Sequence, residues 1–354
     1  MTRYRLAQVG LGQRGRIHAD AFRRNDDRFE LVALCELDPE RLEYGVENYG
    51  FQEAYDDAEK MLAETRPDVF CFVTLPDLRL PMVELAAQYG VKGLAFEKPM
   101  ATSLKEAWTI RQICADAGIK AVVSHQQKYL SSMQALKAVI EQDEIGDITE
   151  IHATTQAWLS KLGTHFTDYV LWANGGSRAQ WVVGHVHGPK LLDDSHPSPD
   201  YILGQVGLGN GVRAVIECGY LAPKRMDNEH FWVDNRLTVY GAHGYVWAET
   251  DGGWGTANRV TGGEAVVHQG DTWLMQQPNI QLPYIREFAD WLDDDTRVHS
   301  CNVDMAYHGY EILEGMCLSA LNNTRIDLPI ANPADTADLF ARMRRELTDV
   351  APPA

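Results

Sequence analysis

No stretch of this chain stays apolar for anything near the roughly 20 residues that a membrane-spanning helix needs, so no span is expected. Positive charge is scarce as well: 32 Lys and Arg stand against 50 Asp and Glu, a net charge of -18. A surface of that sign repels phosphate backbones, which argues against nucleic acid as a partner and for a solvated acidic exterior. The cysteines Cys35, Cys71, Cys114, Cys218, Cys301 and Cys317 are widely separated, mostly within apolar runs, and form no C-x-x-C pair. They are expected to be reduced core thiols, neither disulfides nor zinc ligands. Met1-Thr2-Arg3-Tyr4-Arg5 leads into a strand-like run without the apolar core of a secretory signal, so a cytoplasmic protein is expected. The Asn322-Asn323-Thr324 sequon then has no glycan to carry.

What the chain has is 45% hydrophobic residues in 354, enough for two cores, and an N-terminus dense in signals. An apolar run from Leu6 to Val9 meets Gly10-Leu11-Gly12-Gln13-Arg14-Gly15, and a second run from Leu31 to Cys35 ends at Glu36. Strand, glycine turn, helix and second strand with an acid at its tip form the dinucleotide fingerprint. Gly10 permits the tight turn, Gly12 admits a pyrophosphate, Gly15 lets helix and strand pack, and the helix N-terminus favours negative charge. Glu36, 21 residues beyond Gly15, stands where a carboxylate accepts hydrogen bonds from a ribose. That acid repels a 2′-phosphate and Leu37 offers no cation, so NAD is expected over NADP.

Strand and helix patterns alternate to about residue 124, as a doubly wound parallel sheet demands. Asp38-Pro39 starts a helix toward Tyr49. Asp68 to Val73 reads as a strand, Leu78 to Tyr89 as a helix, Val91 to Phe96 as a strand. Ser103 and Glu106 suggest a capping box before a helix with Leu104 and Trp108 on one face, and Ala121 to Val123 is a further strand. Two strand ends carry chemistry: Thr74-Leu75-Pro76-Asp77 and Glu97-Lys98-Pro99. Ligands of such sheets bind at the carboxyl ends of strands, and a partly desolvated Lys98 there can exchange a proton with an alcohol.

In the second half, Val212, Ala214, Ile216 and Cys218 alternate with polar residues, as do Leu237 and Val239, which suits antiparallel strands with one covered face. Gly241 to Gly244 reads as a hairpin turn. Leu313, Met316, Cys317, Ala320 and Leu321 share one helical stripe and belong to a core. His185 and His187 fall on one face of a strand, but no carboxylate or cysteine at ligand spacing joins them, so no metal site is expected.

Together these segments resemble the Gfo/Idh/MocA family of oxidoreductases. The resemblance rests on the glycine loop, Val32 to Arg41, Thr74 with Pro76, Glu97-Lys98-Pro99, the polar crossover from Val123 to Tyr129, Ile145-Gly146-Asp147-Ile148, Gly163-Thr164-His165-Phe166-Thr167-Asp168 as G-x-H-x-x-D, and the tail from Met305 to Ile330. It implies an α/β protein: a Rossmann domain at 1–124, then a substrate-binding and oligomerisation domain at 125–354 built on a large, mostly antiparallel open sheet. It also implies an NAD(P)-dependent oxidoreductase of sugars, cyclitols or related polyols, and a homodimer or homotetramer. Lys98 and His165 would be the catalytic pair, in an order that sequence leaves open. Thr74, Pro76, Glu97 and Gln126 would line the nicotinamide half of the cofactor site, with Leu11, Gln13 and Arg14 in its loop and Tyr284 near it.

Oxidising a secondary alcohol takes a hydride acceptor and a base for the hydroxyl proton, and His165 titrates in the right range. Many relatives carry an Asp four residues before that histidine, one helical turn away; this chain has Lys161. Either Asp168 takes over orientation, or Lys161 points to solvent, or Lys161 recognises an anionic substituent of the substrate. The substrate-side candidates are therefore Lys98, Lys161, His165 and Asp168, with Trp158 among the aromatics able to stack on a sugar. Two other functions compete: a glycosidase that cleaves by transient oxidation and elimination with NAD retained, and a nucleotide-sensing regulator without catalysis.

Overall fold

The computed structural model describes residues 2–157, 159–193, 197–226 and 230–346, apart from the side chains of residues 160, 161 and 193. The chain packs as two units: Met1–Thr102, Glu106–Gln126 and Gln277–Ala306 make the first, and Ser103–Lys105, Gln127–Gln276 and Tyr307–Ala354 the second.

In the first unit, β1 (Tyr4–Val9) and β2 (Phe29–Cys35) are the two N-terminal apolar runs. Leu31 through Cys35 are all buried, because a parallel strand covered by helices on both faces has no solvent side. Between them, α1 (Gln13–Arg24) turns Gly15, His18, Ala19, Ala21 and Phe22 inward. α2 (Pro39–Tyr49) starts as Asp38-Pro39 predicts: the Asp38 carboxylate accepts from the Glu40 and Arg41 N–H groups and Pro39 fills the first helical position. β3 (Glu53–Tyr55), α3 (Ala58–Thr65), β4 (Val69–Phe72), α4 (Arg79–Gln88), β5 (Gly93–Glu97), α5 (Leu104–Asp116) and β6 (Lys120–Ser124) complete the alternation. The six strands are parallel in the order β3-β2-β1-β4-β5-β6. The order reverses between β1 and β4, and at such a switch point the strand ends flank a crevice.

Glu106 also accepts from the Thr102 N–H at 2.7 Å and the Thr102 hydroxyl at 2.5 Å. Of Leu104 and Trp108, expected on one helix face, Leu104 is buried and Trp108 is 41% exposed.

The second unit opens with a short helical turn, Gln126–Tyr129, and α6 (Ser131–Glu141). Its sheet comprises β7 (Ile148–Thr155), β8 (Ala179–His187), β9 (Tyr201–Leu208), β10 (Arg213–Gly219), β11 (Asn235–Gly241), β12 (Gly244–Glu249), β13 (Gly253–Ala257), β14 (Val266–Gln269) and, late in the chain, β15 (Ile326–Asp327). The nine strands run in the order β14-β13-β12-β11-β7-β10-β9-β8-β15. Only β7 and β10 pair parallel; the remaining pairs are antiparallel. β11 and β12 form the expected hairpin across Gly241–Gly244. Along β7 and β10, buried positions such as Ile151, Ala153, Ala214 and Ile216 alternate with half-exposed ones, so one sheet face is covered and the other open. α7 (Thr164–Ala173) lies on the covered side, where His165 and Phe166 through Leu171 are buried.

The segment from Gln277 belongs to the first unit. α8 (Trp273–Asp293) is one long helix although Pro278 and Pro283 lie inside it. Phe288 and Leu292 press on Gly93 of β5, where a Cβ would stand 2.9 Å from the Phe288 ring. Arg28, fully buried, donates to Asp290 at 2.8 Å and to Asp293 at 2.7 Å. Along α9 (Val303–Asn322), Leu313, Met316 and Cys317 of the expected stripe are buried while Ala320 and Leu321 are half-buried, and α10 (Leu339–Glu346) follows.

Candidate functional site

The glycine loop separates what the fold needs from what it leaves open. Gly10 has φ +87°, and a Cβ there would stand 2.5 Å from the Val73 carbonyl oxygen, so only glycine fits. A Cβ on Gly15 would stand 2.3 Å from the Gly10 carbonyl oxygen. Gly12 is different: it caps α1 with an ordinary φ of -64°, and nothing lies within 4 Å of its Cβ position. No contact within the fold demands glycine at 12. Its missing side chain keeps the first-turn N–H groups of α1 accessible, which suits a pyrophosphate. Gln8, buried in β1, fixes the loop by donating to the Gly10 carbonyl at 2.9 Å and the Gly15 carbonyl at 3.0 Å. Gln13 is exposed and Leu11 buried.

Glu36 stands against this loop. One of its oxygens accepts from the Leu11 N–H at 2.6 Å, the other from the Leu37 and Asp38 N–H groups at 2.9 and 3.2 Å. Beside it opens a cavity of about 550 Å³ in which four carboxylates, Glu36, Glu53, Asp56 and Glu64, outnumber a single cation, Lys60. That balance tolerates an uncharged ribose and repels a 2′-phosphate. The residues present thus fit NAD.

The ends of β4 and β5 are bound together. Glu97 is buried, and its Oε1 accepts from Arg14 Nε and Nη2 at 3.0 and 2.8 Å and from His18 Nε2 at 3.0 Å. Burial alone would push its carboxyl upward; the Arg14 charge, the His18 hydrogen bond and the Lys98 charge outweigh that and hold it well below the ordinary range. The His18 pKa is lowered, chiefly by burial, against the hydrogen bond and charge of Glu97. Gln126, with its amide nitrogen toward Ser124, accepts from Arg14 Nη2 at 2.9 Å. Arg16 lays its guanidinium on the Tyr44 ring at 4.3 Å. Thr74, Pro76 and Lys98 are half-buried, and the Lys98-Pro99 peptide is cis. Tyr284 lies within α8, fully buried, its ring 4.9 Å from that of His299.

The second unit carries the other candidates. A π-helical turn, Leu159–Gly163, runs into α7, which presents His165, 1% exposed, with its ring 6.0 Å from that of Tyr169. The i→i+5 ladder of that turn corrects the expectation that a plain α-helical turn separates residue 161 from His165. The Lys161 side chain and Trp158 lie outside the described residues. Asp168 meets Lys128: Nζ is 3.1 Å from Oδ1 and 2.8 Å from Oδ2, with both side chains almost fully buried. Burial pushes the Asp168 carboxyl up to about 6, and the Lys128 charge and hydrogen bond oppose that rise. The next residue pair repeats the link, Tyr169 donating its hydroxyl to Gln127 Oε1 at 2.6 Å. Two consecutive residues of the crossover turn are thus fastened to two consecutive residues of the His165 helix.

Sequence reasoning passed over Lys128, Gln8, His18 and Arg79. Lys128 stood in a segment already marked as polar and basic; the others gave no signal, because nothing in a sequence separates a buried strand Gln or helix-start Arg from exposed ones.

Residues 4–125 match the Gfo/Idh/MocA profile, an oxidoreductase family with an NAD-binding Rossmann fold. D-apiose dehydrogenase of Paraburkholderia graminis is 33% identical over 146 residues, 41% of this chain and 38% of that protein. Myo-inositol 2-dehydrogenase of Thermotoga maritima is 21% identical over 255 residues, 69% of this chain and 75% of that protein. The chain thus spans well under half the length of the first of these relatives. The crystal structure of an NAD binding oxidoreductase from Klebsiella pneumoniae has the same fold, with a TM-score of 0.78 at 17% identity over 92% of this chain and 99% of that one.

Proposed function

Because residues 4–125 belong to the Gfo/Idh/MocA oxidoreductase family, we propose that this chain is an NAD-dependent dehydrogenase that oxidises a secondary alcohol of a sugar, sugar acid or cyclitol. The carrying observation is the glycine loop, where Gly12 is open without structural need and Glu36 stands beside an acidic cavity. The sugar and polyol dehydrogenases among the relatives support the substrate class.

When bound, NAD supplies the hydride acceptor. The carbinol C–H bond breaks with its electron pair, the hydroxyl gives up its proton, and a carbonyl forms. In this reading Lys98 and His165 hold and move that proton. Glu97 holds Arg14 and His18 and leaves the proton work to Lys98. Lys128 and Asp168 fix the helix that carries His165.

The reading assigns NAD binding to residues 1–124 and substrate binding and self-association to 125–354. Half-exposed Trp181, Tyr245, Trp247 and Trp254 on the sheet of the second unit support self-association into a dimer or tetramer. All six cysteines are free thiols, which supports a reducing cytoplasm. Among the described residues no helix is long and apolar enough to cross a membrane.

The test is a panel of sugars, cyclitols and glycosides given to the purified protein with NAD, followed for NADH absorbance and for released aglycone. NADH in proportion to carbonyl product supports the dehydrogenase. Aglycone without net NADH gives the glycosidase, and a protein that binds NADH but turns over nothing is a sensor or acts on a substrate outside the panel.

A further inference from the structure

Arg79 breaks two local rules at once. It is the first residue of α4, where the helix dipole disfavours a cation, and it is only 2% exposed, although arginine is almost never fully buried without a partner. Its guanidinium donates to backbone oxygens: Nη1 to the Glu97 carbonyl, and Nη2 to the Thr74 and Lys98 carbonyls, each at 3.4 Å. Burial lowers its pKa to about 10, with Glu97, Glu106 and Asp77 opposing, so it stays a cation at neutral pH. A group costing this much desolvation, placed against a dipole, is poorly explained by helix packing alone; a leucine would pack α4 more cheaply.

What the guanidinium does touch is the carbonyl of each peptide flanking the Lys98 α-carbon and the Thr74 carbonyl beyond the neighbouring strand. Glu97 is already held by its carboxylate through Arg14 and His18; Arg79 holds the same residue by its carbonyl. We propose that Arg79 is a positioning residue for Lys98, joining the Thr74 and Glu97-Lys98 strand ends into one rigid edge that sets where the lysine presents its amine. This rests on the reading of Lys98 as a proton-transfer group. Its hydrogen bonds reach Thr74, Glu97 and Lys98 rather than the glycine loop or Glu36, so the adenosine half of cofactor binding should survive its loss.

The experiment uses full-length wild type, Arg79→Gln and Arg79→Lys, each reductively ¹³C-methylated at its lysines, with Lys98→Arg assigning the Lys98 signal. In wild type that signal stands apart from those of solvent lysines, and in Arg79→Gln it moves into their range, with Arg79→Lys between. NADH binding, read by energy transfer from tryptophan, changes by no more than about threefold. On any alcohol turned over by wild type, kcat falls about 100-fold in Arg79→Gln while KM for NAD holds, and added guanidinium restores part of it in Arg79→Ala. An unmoved Lys98 signal in Arg79→Gln overturns the proposal, whether or not the melting temperature drops, because Arg79 then serves only the fold. If wild type oxidises nothing on the panel, the dehydrogenase reading goes unsupported, and the Lys98 signal still decides the role of Arg79.

Discussion

Replacing Lys128 by Met should destabilise this protein far more than removing one ion pair from a surface. Lys128 and Asp168 are 1% and 4% exposed at their side chains and 2.8 Å apart. Asp168 is pushed up to about 6 from 3.8, so about two pH units, or about 3 kcal/mol, oppose its ionised form in the fold. Burial thus works against the ionised carboxylate, and the Lys128 charge works for it. The two members are costly to separate, since Lys128→Met leaves a buried carboxylate and Asp168→Asn a buried ammonium, each worth about 3–5 kcal/mol of lost stability. In the double variant neither charge remains, and stability should return to within about 1–2 kcal/mol of wild type, a coupling of several kcal/mol. Urea midpoints at unchanged m-value measure the cycle.

The pH dependence has a fixed sign. Because the folded pKa of Asp168 is raised, its contribution to stability is present below about pH 4 and is lost as pH rises through about 6. Asp168→Asn should remove that slope. Losses that simply add in the double variant, or a slope unchanged in Asp168→Asn, would refute the account of the pair.

Gly12→Ala should fold with an unchanged melting temperature, since nothing lies within 4 Å of the added carbon, yet lose NAD affinity by calorimetry. Gly15→Ala, pressed on the Gly10 carbonyl at 2.3 Å, should lose stability as well. Glu314 is almost fully buried, accepts from the Leu104 N–H at 3.1 Å, and is raised by burial to about 7 from 4.5. Its contribution is present below about pH 4.5 and lost as pH rises through about 7, so Glu314→Gln should exceed wild type by about 3 kcal/mol at pH 8 and match it at pH 4. Lys161, read as a contact to an anionic substituent, predicts that a sugar acid or sugar phosphate is favoured over its neutral parent in wild type and not in Lys161→Ala. Equal kcat/KM for both substrates in both proteins would end that reading.

The first unit was legible because its signals are local. Buried parallel strands read as apolar runs, Asp38-Pro39 names its own helix start, and Gly10 and Gly15 are fixed by backbone approach. β3 escaped, having three residues with one buried. The full length of α8 was not legible: it contains Pro278 and Pro283, and packing of Phe288 and the Arg28 ion pairs hold it as one helix. Tertiary contact overrode propensity there. In the candidate site, motif residues stood out by spacing, while the residues that hold them did not. Arg79 and Lys128 act through carbonyls and a carboxylate distant in sequence, and no periodicity marks such a bond.

The central claim is hydride transfer from a carbinol carbon to NAD. A panel sugar that yields NADH, prepared with deuterium at one carbinol carbon at a time, tests it by the mass of the NADH formed. The account predicts one deuterium in NADH from one labelled position and none from the others. NADH without deuterium from any labelled carbinol carbon, or product formed with no deuterated NADH at all, would contradict it.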